Sequence, residues 1–187
     1  MSFITKIIQK DQELLIYLNA LGTEYWDSYW LIATNKLPWL PIYLVVLFLL
    51  FRYYKWKKTL AILLLVALLV AFSDQLVNLI KIGFHRLRPN NDPAIQNIIR
   101  VVKNVGGYSF VSGHATTSFA VTSFIIATLR NHFKAIYFIL VWPLLFTYSR
   151  IYLGVHYPVD VTLGMLLGLL IGFTFYRFSL VVLPKIK

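Results

Sequence analysis

The residues best suited to chemistry are a set of cations, histidines and one carboxylate between positions 81 and 160. They form three groups along the chain: Lys81 with Arg88, then Ser112, Gly113 and His114, then Arg150 with His156 and Asp160. Arginine presents a planar fork that suits phosphate oxygens, and lysine adds a point charge. Ser112 and Gly113 precede a predicted helix, whose first N–H groups form a natural anion site. These residue types predict a site for an anionic group.

His156 and Asp160 have the spacing of a catalytic pair. Residues four apart lie on one face of a helix. The carboxylate can therefore fix the imidazole tautomer and stabilise its charged form, while the other ring nitrogen stays free to attack. His114 comes from a separate segment and could protonate a leaving oxygen. Cations, helix N–H groups, a nucleophile and an acid together predict phosphoryl transfer without a metal.

A mononuclear metal site is the competing interpretation of the same residues. Such a site needs more ligands than one aspartate and two histidines, and three adjacent cations would repel the metal. The chain also has no cysteine, which excludes a disulfide scaffold and a thiolate metal site. We therefore expect no metal and no cofactor.

The composition predicts the element type that must position these residues. Of 187 residues, 59% are apolar and only 13% are charged, whereas soluble domains have about 25% charged residues. This excludes a disordered chain and argues strongly against a soluble one. We expect an all-α, polytopic transmembrane helix bundle.

Five stretches without Asp, Glu, Lys or Arg are the predicted spans. They are Leu37–Phe51, Thr59–Ser73, Asn104–Leu129, Ala135–Ser149 and Val161–Tyr176. Residues 1–35 are expected to form an interfacial segment with an amphipathic helix, and a sixth span there is left open. We interpret residues 1–187 as one domain, in which residues 81–160 carry the catalytic motifs.

The order of the spans gathers the polar residues at one level of the membrane. In an up-and-down bundle, the end of span 2, the start of span 3, the end of span 4 and the start of span 5 share one face. The basic loops between spans 1 and 2 and between spans 3 and 4 lie on the other face, which the positive-inside rule makes cytoplasmic. The site is therefore expected to face outward.

The three groups together resemble the signature of the type 2 phosphatidic acid phosphatase (PAP2) superfamily. The matching pattern is Lys81-(six residues)-Arg88-Pro89, then Ser112-Gly113-His114, then Ser149-Arg150-(five residues)-His156-(three residues)-Asp160. The sequence departs from the family at Val111, where proline is usual. That difference concerns the shape of the loop and not its chemistry.

The resemblance implies a role for each residue. His156 would be the nucleophile that forms a phosphohistidine, Asp160 would orient it, and His114 would protonate the leaving group. The phosphate oxygens would be held by Lys81, Arg88, Ser112, Gly113 and Arg150, and no metal would be needed.

The resemblance also implies a lipid phosphatase of the bacterial inner membrane, with its site facing the periplasm. Undecaprenyl diphosphate is the first expected substrate; phosphatidylglycerol phosphate, phosphatidic acid and the 1-phosphate of lipid A are alternatives. Phosphotransfer to another lipid and a non-catalytic lipid-phosphate binder or transporter stay open, as does the oligomeric state. Nucleic-acid binding is disfavoured because the basic residues are split between the two membrane faces.

Several further residues are assigned roles outside the chemistry. Arg86 is expected to bind anionic headgroups, and His85 and His132 to be structural. Asp74 is expected to pair with a neighbouring helix, with a contribution to the site as the alternative. The small residues Gly164, Gly168 and Gly172 form a stripe that predicts close helix packing within the chain, with a dimer seam as the lesser option.

Overall fold

The computed structural model describes residues 3–186, which fold into helices joined by loops and short 3₁₀ turns. The α-helices are α1 (Phe3–Ala20), α2 (Glu24–Ala33), α3 (Leu40–Tyr53), α4 (Trp56–Phe84), α5 (Gly113–Leu129), α6 (Val141–Tyr152) and α7 (Pro158–Val182). The 3₁₀ turns are Leu37–Trp39, Pro89–Asn91, Lys134–Leu140 and Leu183–Lys185. Among the described residues, β pairing is limited to one bridge between Leu87 and Tyr108. The predicted all-α class is confirmed.

Three helical segments are long and apolar enough to cross a membrane. They are Trp56–Phe84, Lys134–Tyr152 and Pro158–Lys185. A fourth crossing is formed only if Glu24–Ala33 and Leu37–Tyr53, which meet at a bend of 68°, act as one broken span. Large apolar side chains such as Leu64 on α4 and Leu170 on α7 are more than half exposed. Such apolar surfaces are expected where helices contact lipid tails.

The predicted set of five spans is not confirmed. The stretch Leu37–Phe51 is one arm of the bent pair, because the chain breaks its helix between Ala33 and Leu40. Of the stretch Asn104–Leu129, only the last 17 residues are helical, as α5. The absence of charge misled the prediction there, since an uncharged loop and an uncharged helix have the same composition.

The predicted interfacial amphipathic helix at the N-terminus is also not confirmed. A helix is present, but one face of α1 is buried in the protein through Asp11, Leu15 and Asn19, which are 4%, 0% and 1% exposed. These positions are four residues apart and therefore lie in one row. Leu15 packs with Ile151 of α6 and Val161 of α7. Helix α1 is thus docked on the helices that carry the predicted site.

Helix α5 is the centre of the bundle. Its residues Ala120, Phe124 and Leu129 are fully buried, in a core that includes Leu69 of α4 and Ile171 of α7. Its contact with α7 is especially close because α7 has glycines at the positions that face α5. A Cβ added at Gly164, Gly168 or Gly172 would meet the backbone or side chains of α5. The small-residue stripe therefore packs within the chain, as predicted.

A tight turn between α6 and α7 brings the third group of residues to the site. Gly154 has a φ of 71°, in the left-handed region that favours glycine. Helix α7 begins at Pro158, whose ring fits the first helical position. The Asp160 carboxylate accepts a hydrogen bond from the Tyr157 N–H at 3.1 Å. This bond fixes Asp160 in the first turn of α7, next to His156.

Candidate active site

A cavity of about 1070 Å³ lies between α3, α4, α5 and α6. Its polar end is lined by six of the predicted site residues: Lys81, Arg88, Gly113, His114, Arg150 and His156. Its walls farther from this end are apolar, with residues such as Val46 of α3, Val70 of α4 and Ile139 of the turn before α6. The fold therefore combines a cationic site with a channel of the kind that an acyl or prenyl chain can enter.

His156 and Asp160 form the predicted pair. The Nδ1 atom of His156 lies 3.5 Å from Oδ2 of Asp160, and the two side chains are 1% and 0% exposed. This separation exceeds the usual length of a hydrogen bond. Bonds of this kind are often long before the substrate binds and shorten in the reacting complex. The geometry allows Asp160 to orient the ring.

The contacts of His156 indicate which ring nitrogen carries the proton. A guanidinium has only donors, so Nε2, which lies 2.9 Å from Nη1 of Arg88, must accept that bond through its lone pair. The proton of the neutral ring is then on Nδ1, facing Asp160. His156 is in the loop between α6 and α7, where burial and the charges of Arg88 and Arg150 hold its pKa well below the ordinary histidine value. These influences favour the neutral ring, which is the form that the predicted nucleophile needs.

The three predicted cations line the same cavity as His156; Arg88 and Arg150 are buried, and Lys81 is partly buried. Arg88 is held by the carbonyl oxygens of Gly106, at 2.9 Å, and Val155, at 3.1 Å. Arg150 donates to the Thr34 hydroxyl at 2.6 Å, while its buried Nε has no hydrogen-bond partner among residues 3–186. A buried donor without a partner costs free energy, so this Nε is a donor that remains available to an anion. Lys81 makes no ion pair with any described carboxylate.

The start of α5 carries His114, the predicted acid, and only part of the predicted anion site. His114 lines the cavity and stacks on Phe146, with ring centroids 4.8 Å apart. Gly113 also lines the cavity, so its end of α5 faces the substrate space. Ser112 lies behind that wall, and its N–H donates to the carbonyl oxygen of Asp160 at 3.0 Å. That N–H is therefore not free for phosphate, although the buried Ser112 hydroxyl has no partner among the described residues.

Arg86 does not have the predicted role of binding lipid headgroups. Its guanidinium donates to Asp160 at 2.7 Å and to Asp11 at 2.6 Å, and it lies 3.8 Å from the ring centroid of Tyr157. The sequence could not show this because Asp11 is 75 residues away along the chain. The only local signal was the row of Asp11, Leu15 and Asn19 on one face of α1.

Asp74 agrees with the alternative left open for it and not with the preferred one, and the remaining histidines agree with their predicted roles. Asp74 accepts a hydrogen bond from Asn78 of its own helix at 3.4 Å and lines the cavity, instead of pairing with a neighbouring helix. His132 lies against the rings of Tyr53 and Tyr54. His85 contacts Tyr108 edge to face. Neither histidine lines the cavity.

Comparison with known proteins places this site in a family. The model of the PAP2 superfamily matches residues 59–182 of the chain. The lipid A 4'-phosphatase of Bacteroides thetaiotaomicron is 34% identical over 170 residues, which cover 89% of this chain and 75% of that protein. An undecaprenyl-diphosphatase of Bacillus subtilis is 37% identical over 79 residues, which cover 42% of this chain and 39% of that protein.

A solved structure supports the same assignment at the level of the fold. The transmembrane PAP2-type phosphatidylglycerolphosphate phosphatase of Bacillus subtilis superposes with a TM-score of 0.73, at 24% identity, over 95% of this chain and 88% of that chain. The family model and the relative matched along most of the chain both name phosphatases or their superfamily. The chain therefore belongs to the PAP2 superfamily and is a membrane phosphatase.

Proposed function

We propose that the protein removes a phosphate group from a membrane lipid through a phosphohistidine on His156. The observation that carries this proposal is the position of Nε2 of His156. This atom ends the cationic part of the cavity, with Asp160 behind the ring and Arg88 and Arg150 beside it. A non-catalytic binder would need the cations but not the paired His156 and Asp160.

The first step exchanges one bond to phosphorus for another. The phosphate enters between the cations, displacing the contact of Arg88 with His156, and the Nε2 lone pair attacks the phosphorus. The bond from phosphorus to the lipid oxygen breaks, and His114, whose protonated form is favoured by the negative charge of the bound phosphate, gives its proton to that oxygen. Arg88, Arg150 and Lys81 stabilise the charge on the three remaining oxygens, while Asp160 stabilises the charged ring.

The second step returns the enzyme to its starting state. His114, now unprotonated, takes a proton from a water molecule, whose oxygen attacks the phosphorus. The bond between phosphorus and Nε2 breaks, and inorganic phosphate leaves. A lipid hydroxyl in the place of the water would give phosphotransfer.

The lipid A 4'-phosphatase that matches 89% of this chain favours lipid A, phosphorylated at its 4' position, as the substrate. The relative that acts on undecaprenyl diphosphate, the first substrate expected from the sequence, matches a smaller part of the chain. A second cavity beyond His114 is lined by Lys36 and Lys103. These lysines make no ion pair with a described carboxylate. They suit a leaving group that is itself anionic, as it is for lipid A carrying a second phosphate and for undecaprenyl diphosphate.

This arrangement separates substrates by the charge of their leaving group. Phosphatidic acid leaves neutral diacylglycerol, which offers nothing for Lys36 and Lys103 to bind. We expect Lys36→Ala combined with Lys103→Ala to lower kcat/KM for a lipid with a second phosphate by about tenfold, the equivalent of ~1.4 kcal/mol. The value for phosphatidic acid should not change. Lys57→Ala is the matched control, because Lys57 lies against Trp56 at the start of α4, the opposite end of that helix from Lys81.

Release of inorganic phosphate tests the proposed reaction. Purified protein in detergent is given lipid A, undecaprenyl diphosphate, phosphatidylglycerol phosphate and phosphatidic acid, each with and without EDTA. We expect release that resists EDTA, is fastest from lipid A, and is lost in His156→Ala but kept in His132→Ala. Release by His156→Ala would overturn the mechanism, and faster release from undecaprenyl diphosphate would overturn the choice of lipid.

We place the protein in the bacterial inner membrane, with the site at its outer face. The positive charge of the loop between α3 and α4, with Arg52, Lys55, Lys57 and Lys58, supports this orientation through the positive-inside rule. Labelling of a cysteine introduced in that loop by an impermeant reagent tests it. The engineered cysteine should be protected in intact cells and react in inverted vesicles; the reverse pattern would overturn the orientation.

A further inference from the structure

Helix α1 contributes a carboxylate to the back of the active site. Asp11 is only 4% exposed, although it lies in a segment whose other charged residues face outward. Its Oδ1 accepts a hydrogen bond from the N–H of Val159, in the first turn of α7, at 2.9 Å. Its Oδ2 accepts one from Nη2 of Arg86 at 2.6 Å. Burying a carboxylate and its ion-pair partner costs folding free energy unless the geometry of their hydrogen bonds is good.

Arg86 connects this carboxylate to the one that orients the nucleophile. Its Nη1 donates to Oδ1 of Asp160 at 2.7 Å, and the guanidinium lies over the ring of Tyr157 at 3.8 Å. The other oxygen of Asp160 faces Nδ1 of His156. One guanidinium therefore bridges two buried carboxylates, and the second of these touches the nucleophile.

The number of charges in this cluster bears on the chemistry. With both carboxylates ionised, Asp11, Arg86 and Asp160 carry a net charge of −1. This negative charge remains behind His156 when its ring becomes positive in the phosphohistidine. Without the charge of Asp11, the positive charge of Arg86 would balance that of Asp160 and leave the cluster with no net charge. Arg86 would also lose one of the two carboxylate contacts that fix its position. The burial of the cluster makes such electrostatic effects stronger than they are in water.

We propose that Asp11 is a positioning residue for catalysis, which acts on His156 through Arg86 and Asp160. The inference rests on the proposed function, because it assumes that His156 is the nucleophile. It makes α1 a part of the catalytic apparatus, whereas the motifs of the sequence begin only at Lys81. Asp11 touches neither the substrate space nor His156, so its effect is on the rate of the chemical step and not on the binding of the lipid.

Asp11→Asn tests this proposal with little change of shape. The amide oxygen can still accept from the N–H of Val159, but the charge opposite Arg86 is lost. We expect kcat to fall by about 10- to 100-fold, the range found when partners that orient a histidine are removed in metal sites, with KM changed by less than about twofold. Asp11→Glu, which keeps the charge, should recover much of kcat.

Asn19→Ala is the matched control for the docking of α1. Asn19 lies two turns along the same buried row and donates to the carbonyl oxygen of Tyr152 at 2.9 Å, and its side-chain oxygen accepts from the N–H of Arg100 at 2.7 Å. It has no contact with Arg86 or Asp160. If docking alone matters, Asn19→Ala should lower kcat as much as Asp11→Asn does. We expect it to lower the temperature of unfolding while kcat stays within about twofold.

A double-mutant cycle with Arg86→Gln tests whether Asp11 acts through Arg86. Because both residues belong to one chain of contacts, Asp11→Asn should lower kcat little further in the Arg86→Gln background. Multiplicative losses would overturn the proposal, as would an unchanged kcat in Asp11→Asn or an equal loss in Asn19→Ala. Rates are referred to the folded fraction measured by size-exclusion chromatography. Activity retained in His156→Ala, in contrast, would reject the proposed function itself.

Discussion

Alanine at Gly168 tests how strictly the packing of α5 on α7 positions the site. A Cβ at this position would lie 3.0 Å from the amide nitrogen of Ala120 and from Cβ of Phe119, and closer still to the carbonyl oxygen of Thr116. Carbon and a carbonyl oxygen approach to about 3.3–3.6 Å even in favourable contacts. Helix α7 must therefore move away from α5 by about 1 Å, since backbone atoms cannot turn aside as a side chain can.

This movement should be visible in both stability and rate. Overpacking of a buried contact costs about 1–3 kcal/mol, which lowers the temperature of unfolding. Helix α5 begins at Gly113, next to His114, and α7 holds Asp160 in its first turn, so the same movement changes the distance between acid and nucleophile. A displacement of about 1 Å can cost roughly 100-fold in rate. We expect Gly168→Ala to lower kcat/KM by at least tenfold.

Gly83→Ala is the matched control for this substitution. Gly83 is also in a membrane-spanning helix, but an added Cβ there has no heavy atom within 4 Å. Alanine should be neutral or stabilise the helix, by up to about 1 kcal/mol. Thermal unfolding in detergent, size-exclusion chromatography and phosphate release are measured for both variants. Wild-type stability and rate in Gly168→Ala would refute the close packing.

Three further predictions concern the site residues. Arg150→Ala should lower kcat/KM by about 10²–10³, with both kcat and KM affected, because its charge acts on bound substrate and on the transition state; an unchanged kcat/KM would contradict this. His114→Gln should slow release from a lipid by about 10²–10⁴ but much less from p-nitrophenyl phosphate, whose leaving group needs no proton. In the wild type, the lowered pKa of His156 keeps the nucleophile unprotonated as the pH falls, so the acid limb of kcat/KM should lie below pH 6.5.

The site was predictable from the sequence to the extent that its residues follow local rules. Spacing by four placed Asp160 beside His156, and the order of the helices brought Lys81 and Arg150 to the same end of the bundle. These relations depend only on helix geometry and on alternation of direction. The side of the cavity on which each cation lies, and the loss of the Ser112 N–H to an internal bond, depend on loop shape and were not predictable.

The parts that the sequence analysis missed are contacts between distant segments. Asp11 appeared to be one charge among several in an N-terminal segment, and Arg86 appeared to be a surface cation. Only the folded chain shows that they meet over a separation of 75 residues. The prediction of five membrane spans was not confirmed for a different reason. A bend in the chain before Leu40 and an uncharged loop before Gly113 cannot be read from composition, which averages over both.

Trapping the phosphorylated enzyme is the most direct way to test whether His156 forms the phosphohistidine. Wild-type protein is mixed with radiolabelled lipid phosphate, quenched within the first turnovers under alkaline conditions that preserve phosphohistidine, and mapped by peptide analysis. We expect label on His156 in the wild type and in His132→Ala, and no label in His156→Ala. Label on another residue, or turnover by His156→Ala at the wild-type rate, would contradict this expectation.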